Sequence, residues 1–177
     1  WSIPCRTALA EAEVEYADHV SQSVFVKFPV VGEDNTYLII WTTTPWTLPA
    51  NLAVAYHSKF AYKKVRVNGE AYIVEGTLLP KVAETCGWEN IEEVQSLQGD
   101  EVGALEYRHP FIDKTAKIFA GDNFVENSTG TGFVHVAPGH GMDDYHLGCQ
   151  HDLPIYCPVD DNGQFTHTDD LPESEQM

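Results

Sequence analysis

The sequence predicts an α+β domain of β-barrel-like character, with many short strands joined by turns and a few short helices. Three observations lead there. Short runs of alternating or continuous apolar and β-branched residues recur along the chain, bounded by Gly, Pro, Asn or Asp. Two turn signals, Asn68-Gly69 and Asp161-Asn162-Gly163, mark hairpins. The 177 residues are 43% hydrophobic and include eight Phe, eight Tyr and four Trp, enough for one domain with a buried core. Intrinsic disorder is thereby excluded for most of the chain.

The elements follow in order. Glu11 to Asp18 is a polar approach with no clear partner face. Ser23 to Phe28 alternates and reads as a strand, followed by the turn Gly32-Glu33-Asp34-Asn35. Thr36 to Thr44 reads as a second, largely buried strand, ended by Pro45, which restricts Thr44 and removes a ladder donor. Leu52 to Ala55 and Tyr62 to Val67 are further strands, and Asn68-Gly69 returns the latter into Glu70 to Glu75. Thr77 to Thr85 fits a helix with Thr77 as N-cap, Pro80 in the first turn and Gly87 beyond its end. Lys117 to Ala120 and Gly132 to Ala137 read as strands, and Gly141 to Asp152 as a helix with Asp143 and Asp144 in its first turn. Asp170 to Met177 is polar and expected to fray. No internal repeat is visible.

Charge and cysteine usage narrow the function classes. Twenty-seven Asp and Glu against 10 Lys and Arg give a formal charge of -17. From Ile118 to Met177 there are eleven acids and no Lys or Arg. Taken alone, this argues against a general nucleic-acid binder, which shows a basic face. Lys59, Lys63, Lys64 and Arg66 form the one basic cluster, read either as a solvated strand face or as a local phosphate contact. Cys5, Cys86, Cys149 and Cys157 are spread out and form no C-x-x-C pair, which fits a reducing compartment better than a disulfide framework. The longest apolar runs, such as Tyr37 to Trp41, are too short to span a bilayer. Trp1-Ser2-Ile3-Pro4 opens the chain with neither an initiator Met nor a signal peptide, so a piece of a longer protein is expected.

Two stretches carry chemistry. The first is Trp41-Thr42-Thr43-Thr44-Pro45-Trp46-Thr47-Leu48-Pro49-Ala50-Asn51. On a strand, Thr42 and Thr44 share one side and Thr43 takes the other. Their hydroxyls donate and accept, which suits an ester carbonyl, a ribose hydroxyl or a water. Threonine is also simply a good strand former. The second stretch runs from Gly130-Thr131-Gly132-Phe133-Val134-His135 through Val136-Ala137-Pro138-Gly139-His140-Gly141 to Met142-Asp143-Asp144-Tyr145. A strand carries His135, a Gly-rich loop follows, and Asp144 sits on the next element, so an imidazole and a carboxylate are aimed at one cavity. Singly, His135 reads equally as a hydrogen-bonded core histidine and Asp144 as a helix-start residue. The loop lacks the G-x-x-x-x-G-K-[ST] pattern of a phosphate loop. His135, His140, His146, Cys149, His151 and Cys157 crowd one region, but their spacings match no recognised zinc set and H-E-x-x-H is absent.

On these two strings the chain resembles the editing domain, connective polypeptide 1, inserted in isoleucyl-tRNA synthetases of bacterial type, within the class I synthetase family. The resemblance covers nearly the whole chain, and Trp1 to Tyr16, with its run from Arg6 to Tyr16, looks like the junction with the ATP-using catalytic domain. Valyl relatives carry Lys where His135 stands, and leucyl relatives close the threonine stretch with Arg-Pro, so the isoleucyl member is favoured. The resemblance implies a junction over residues 1–20, an editing domain of the valyl, isoleucyl and leucyl type over 21–170, and a polar tail over 171–177. It implies hydrolysis of valine mischarged onto the isoleucine tRNA, a second and smaller sieve for which such enzymes are the usual illustration. Thr42, Thr43, Thr44 and Asn51 match the catalytic threonine-rich motif. His135 matches the residue that blocks isoleucine, Asp144 the one that holds the α-ammonium, and Gly139 and His140 join them in substrate binding. No metal or other cofactor is implied for this domain, ATP and Mg being required only by the catalytic domain. The implied partners are the terminal adenosine and valyl ester of the mischarged tRNA and the remainder of the synthetase, in the cytoplasm and with no membrane. A valyl-type editing domain, a metal-dependent hydrolase and a non-catalytic amino-acid-binding module stand as alternatives.

Overall fold

Strand pairing follows the hydrophobic pattern. A computed structural model describes residues 2–166, among which nine strands form two mixed sheets. The larger has the order β1-β2-β5-β4-β6, built from β1 (Val24–Pro29), β2 (Thr36–Thr42), β4 (Ala61–Val67), β5 (Glu70–Glu75) and β6 (Glu92–Gln98). The smaller has the order β7-β8-β3-β9, from β3 (Ala53–Tyr56), β7 (Glu106–Arg108), β8 (Thr115–Ala120) and β9 (Phe133–Val136). Each sheet has one parallel pair near its middle, β2 with β5 and β3 with β8. Of these strands β2, β3 and β5 are covered on both faces, which is why they read as near-continuous apolar runs, whereas β8 is largely exposed.

The alternation of side chains then sorts the core into layers. Leu38 and Ile40 of β2 join Phe28, Tyr62 and Ile73, and meet Val54, Tyr56, Tyr107, Ile118 and Phe133 of the smaller sheet. On the opposite face of the larger sheet, Ile39, Val65, Tyr72 and Val74 pack under Leu78 and Val82 of the α1 region (α1, Leu79–Cys86). Behind the smaller sheet, Ala53, Ala55 and Val136 pack under Leu147 of α3 (Met142–Gln150), and the short α2 (Gly99–Gly103) follows β6. The order helix, sheet, sheet, helix results from period-two strands presenting apolar residues to both sides.

The α+β expectation holds, and the barrel-like description fits only loosely. A bridge between Val30 and Tyr107, with the Val31 N–H donating to the Glu106 carbonyl at 2.8 Å, stitches the sheets along one side. Among the described residues β6 and β9 end the two sheets without meeting, so no closed barrel forms. Two local expectations are corrected. The second strand stops at Thr42 rather than Thr44, because Pro45 opens a 3₁₀ turn, Pro45–Ala50. Thr77 does not cap α1; the Glu75 carboxylate does, accepting from the Thr77 N–H at 2.8 Å, the Leu78 N–H at 3.0 Å and the Thr77 hydroxyl at 2.6 Å. Strands β6 and β7 carry no clear sequence signal. Gly87 ends α1 at φ 65, as its position beyond the last turn suggested. The expected polar tail, and the last residues assigned to the domain, lie outside the described residues.

One buried polar network shapes the region where the two sheets and the 3₁₀ turn meet. His109, 5% exposed, donates from Nε2 to the Leu48 carbonyl at 2.8 Å and accepts at Nδ1 from the Ile112 N–H at 3.1 Å. Fully buried Asn51 accepts the Tyr107 hydroxyl at 2.7 Å and donates to the Ala53 carbonyl at 2.8 Å, while Lys114 Nζ donates to the Asn51 carbonyl. Burial, with Lys114 and His135 nearby, pushes His109 down to about 4. The unfolded chain takes up a proton on this residue near 6.5, which the folded chain refuses until much lower pH. The stability that comes from keeping His109 neutral is therefore complete above about pH 6.5. It is lost as pH falls toward ~4, by up to about 1.4 kcal/mol per pH unit. Denaturant unfolding followed over that range is expected to show this slope, and His109→Gln, which keeps a donor and an acceptor but does not titrate, is expected to flatten it. Equal slopes in the two proteins would remove His109 as the acid-sensitive group.

Candidate active site

A cleft of about 340 Å³ opens beside the 3₁₀ turn, between the end of β2 and the start of β9. Thr42, Thr43 and Thr44 all line it, joined by Thr47, His135, His140 and Asp144. Thr42 is the last strand residue and is buried, whereas Thr43 and Thr44 bend away and are exposed. The bend replaces strict alternation. The Thr42 hydroxyl accepts the Thr44 N–H at 3.1 Å and lies 3.4 Å from the Thr44 hydroxyl, so these two share a side while Thr43 still reaches the cleft. Pro45 at the start of the turn then brings Thr47 back to the same wall, three residues after Thr44.

Hydrogen-bond logic assigns the state of His135. The imidazole is 9% exposed, and its Nε2 lies 2.9 Å from the Thr47 hydroxyl. That hydroxyl has one proton, and it donates it to the Thr44 carbonyl at 2.9 Å. In that arrangement Nε2 carries the proton that Thr47 accepts, and Nδ1 is a buried nitrogen with no partner among the described residues. Burial pushes the His135 pKa down and proximity to His140 adds to this, against the opposing pull of Asp144. The ring is neutral at pH 7. Strand β9 pairs His135 with Val54 of the buried β3, so the backbone beneath the imidazole is held by a fully buried neighbour.

Asp144 sits in the first turn of α3, and its Oδ1 accepts the Ala137 N–H at 2.7 Å. A Cβ on Gly141 would lie 2.4 Å from the other oxygen, Oδ2, so glycine at this position leaves the carboxylate its place. His140 lines the same cleft and meets Trp46 edge-on at 5.6 Å. Burial lowers its pKa, and its Nε2 is a second buried nitrogen without a partner. The cleft thus holds one carboxylate, two neutral imidazoles and a row of hydroxyls. Such a set can orient a polar ester, accept hydrogen bonds from an ammonium group and exclude bulk by shape.

Two of the proposed site residues lie elsewhere. Asn51 faces the core, with both ends of its amide bonded, and so supports the 3₁₀ turn from behind. Gly139 packs against the 156–157 segment, where a Cβ would stand 2.3 Å from the Tyr156 carbonyl oxygen. Thr47, Trp41, Phe124, Glu126 and Thr129 line the cleft without having been singled out as site residues. Thr47 was within reach, since it belongs to the threonine motif and lies one 3₁₀ turn from Thr44. The loop after β8 carries no motif that would mark it.

The chain is acidic, and the cations of the larger sheet are neutralised. Lys27 pairs with Glu70, Lys63 with Glu93 at 2.6 Å, Lys64 with Glu33, and Arg66 with Glu92 at 3.5 Å. Three members of the basic cluster, all on β4, are thus held by carboxylates of the neighbouring β6 and of the turn between β1 and β2. The six His and Cys residues from His135 to Cys157 do not all converge: His135 and His140 share the cleft, but His151 stacks on Phe119 at 3.8 Å and the Cys157 thiol meets the Val159 carbonyl at 3.5 Å. Among the described residues no group of three His, Cys, Asp or Glu is placed to hold a metal ion.

Comparison with known proteins gives a consistent picture. No family model matches the chain. The isoleucine–tRNA ligase of Petrotoga mobilis is 48% identical over 166 residues, covering 94% of this chain. That of Fervidobacterium pennivorans is also 48% identical over 166 residues, and one from Bacillus cereus is 47% identical over 171. The chain spans about 18% of the length of these curated relatives. Among solved structures, GlLeuRS-CP1 superposes with a TM-score of 0.64 at 15% identity, covering 73% of this chain and 60% of that one. The editing domain of the P. falciparum cytosolic leucyl-tRNA synthetase gives a TM-score of 0.54 at 14% identity, over 68% of this chain and 51% of that one. At those identities the likeness is one of fold.

The Thr44–Thr47–His135 relay is testable without reference to activity. Thr47→Val keeps the shape but removes the hydroxyl, leaving the buried His135 Nε2–H unpaired, while the Thr44 carbonyl keeps only the Thr47 N–H. It is expected to cost about 1–3 kcal/mol, while Thr47→Ser stays near wild type. Nitrogen NMR of the imidazoles is expected to show His135 protonated at Nε2 in the wild type and to lose that single signature in the valine variant. A wild-type ring protonated at Nδ1 contradicts the assignment.

Proposed function

We propose, from a chain that belongs to the isoleucine–tRNA ligase family and has the fold of a synthetase editing domain, that it hydrolyses valine esterified in error to the isoleucine tRNA. The observation that carries this reading is the neutral, hydroxyl-anchored His135 facing the same cleft as Asp144 and the three threonines. The substrates are the terminal adenosine of the mischarged tRNA and its valyl ester. The remainder of a synthetase, acting in the cytoplasm, supplies the charging step and most of the tRNA contacts. Among the described residues no helix is long and apolar enough to cross a membrane.

The chemistry asks little of any single group. A water oxygen attacks the ester carbonyl carbon, the bond to the ribose oxygen breaks, and the proton lost by the water ends on that ribose oxygen. The products are free valine and deacylated tRNA. Because the ester is already activated, positioning and hydrogen bonding do most of the work. The threonine hydroxyls hold the ester and the water, and the free oxygen of Asp144 receives the α-ammonium.

Selectivity is the harder problem. Isoleucine has one methylene more than valine, and favourable apolar contact would reward it by roughly 0.8 kcal/mol. A pocket that accepts valine and refuses isoleucine therefore has to use a clash. A strand-borne imidazole tied by Thr47 is stiff enough to supply that wall.

Deacylation of isoleucine tRNA charged with valine or with isoleucine tests the reading. The wild type is expected to hydrolyse the valyl ester and spare the isoleucyl one. Asp144→Ala is expected to lose hydrolysis, since removing one partner of a desolvated charge pair costs roughly 2–5 kcal/mol. His135→Ala is expected to keep valyl hydrolysis and gain isoleucyl hydrolysis. A ratio of rates that does not move toward isoleucine makes His135 something other than the sieve. Absence of turnover with both esters leaves an amino-acid-binding module.

A further inference from the structure

A second hollow, of about 180 Å³, adjoins the cleft and shares Trp41, Thr129 and Gly130 with it. Its floor is aromatic. Phe25 and Trp41 are cross-strand partners in the β1–β2 ladder, so both rings stand on one face of the larger sheet. Gly130 lies against the indole, where a Cβ would come within 3.8 Å of Trp41 Cε3. Helix α1 forms the opposite rim with Lys81, Val82 and Thr85. Neither Phe25 nor Lys81 borders the candidate active site.

Lys81 stands apart by its place beside this hollow. Among the described residues the salt bridges take up Lys27, Lys63, Lys64 and Arg66, and Lys81, like Lys59, Arg108 and Lys117, is in none. In a chain of formal charge -17, an uncommitted ammonium at the lip of an aromatic hollow is a local exception. RNA approaching an acidic surface is repelled, so one free cation beside the site acts as the point of attraction for a phosphate. An aromatic floor offers a sequence-tolerant face for stacking a base.

We propose that this hollow binds the nucleotide immediately 5′ to the esterified adenosine, its base against Phe25 and Trp41 and its phosphodiester against Lys81. The assignment rests on the editing reading for the identity of the terminal adenosine, and adds a second anchor that measures the strand rather than the amino acid. Trp41 borders both clefts and so separates the two nucleosides.

Two small substrates isolate the claim: the valyl ester of adenosine, and the valyl ester of the dinucleotide CpA, which adds one phosphodiester and one base. In the wild type the KM for valyl-CpA is expected to lie below that for valyl-adenosine. Lys81→Ala and Phe25→Leu are expected to raise the KM for valyl-CpA about five- to tenfold with kcat unchanged, and to leave valyl-adenosine hydrolysis as it is. Lys81→Ala is also expected to lower the salt dependence of the CpA KM by about one phosphate contact. Equal KM values for the two esters in the wild type, or variants that affect both alike, overturn the proposal. Equilibrium binding of unesterified CpA and adenosine separates it from the deacylase reading. Lys81-dependent preference for CpA without any hydrolysis sinks only that reading. Binding of CpA no tighter than adenosine, or none at all, sinks the hollow.

Discussion

The site rests on the buried hydrogen bonds beneath the Pro45–Ala50 turn. A 3₁₀ turn of six residues with a proline inside has few internal bonds of its own. Here the smaller sheet supplies them: His109 holds the Leu48 carbonyl, Tyr107 and Lys114 hold Asn51, and Asn51 reaches Ala53. Those bonds are made away from water, where an unmade partner is costly. Because the turn is fixed from behind, its front face can present Thr44 and Thr47 at set positions. Through Thr47 the same rigidity passes to His135. The polarity of the cleft is thus borrowed from a network that never touches it.

This also shows which parts of the molecule the sequence makes legible. The strands that bury both faces, β2, β3 and β5, announce themselves as apolar runs, and Asn68-Gly69 announces the hairpin between β4 and β5. The two site motifs are legible because their residues are neighbours in the chain. Strand β6 is not, because its sequence Glu-Glu-Val-Gln-Ser-Leu-Gln lies at the edge of the sheet and buries little beyond Leu97. Three-residue β7 is too short to show a period. Asn51 belongs to the threonine motif, yet its role is in the core, a distinction only three dimensions make. The partners Tyr107 and His109 are more than fifty residues from the turn they hold, and nothing local marks them. Glu75 as the cap of α1 is missed for a related reason, since it is the last residue of a strand and reads as such.

Electrostatics divides the surface into two regimes. Over most of the larger sheet, lysines and arginines are matched by carboxylates one strand or one turn away, so their fields cancel at short range. Exposed pairs of this kind add little stability, typically below 1 kcal/mol each. Their effect is on what approaches. The acids of β6 also charge an open sheet edge, which discourages another strand from pairing with it. Within the cleft the regime changes: burial keeps both imidazoles neutral and leaves Asp144 facing them without a cationic partner among the described residues.

Glu75 joins these regions more closely than its single cap suggests. Its carboxylate gathers the first turn of α1, its N–H donates to the Thr131 carbonyl at 2.9 Å, and its Cβ fills the space beside Gly132, where any added carbon would stand 2.2 Å away. Gly132 holds φ +82, a conformation that favours glycine. One side chain therefore welds the start of a helix to the loop that walls the cleft. Thermal motion cannot widen one side of that wall without carrying the helix along. On that side the mouth of the cleft and the start of α1 are therefore one piece, and a change of shape at either is felt at the other.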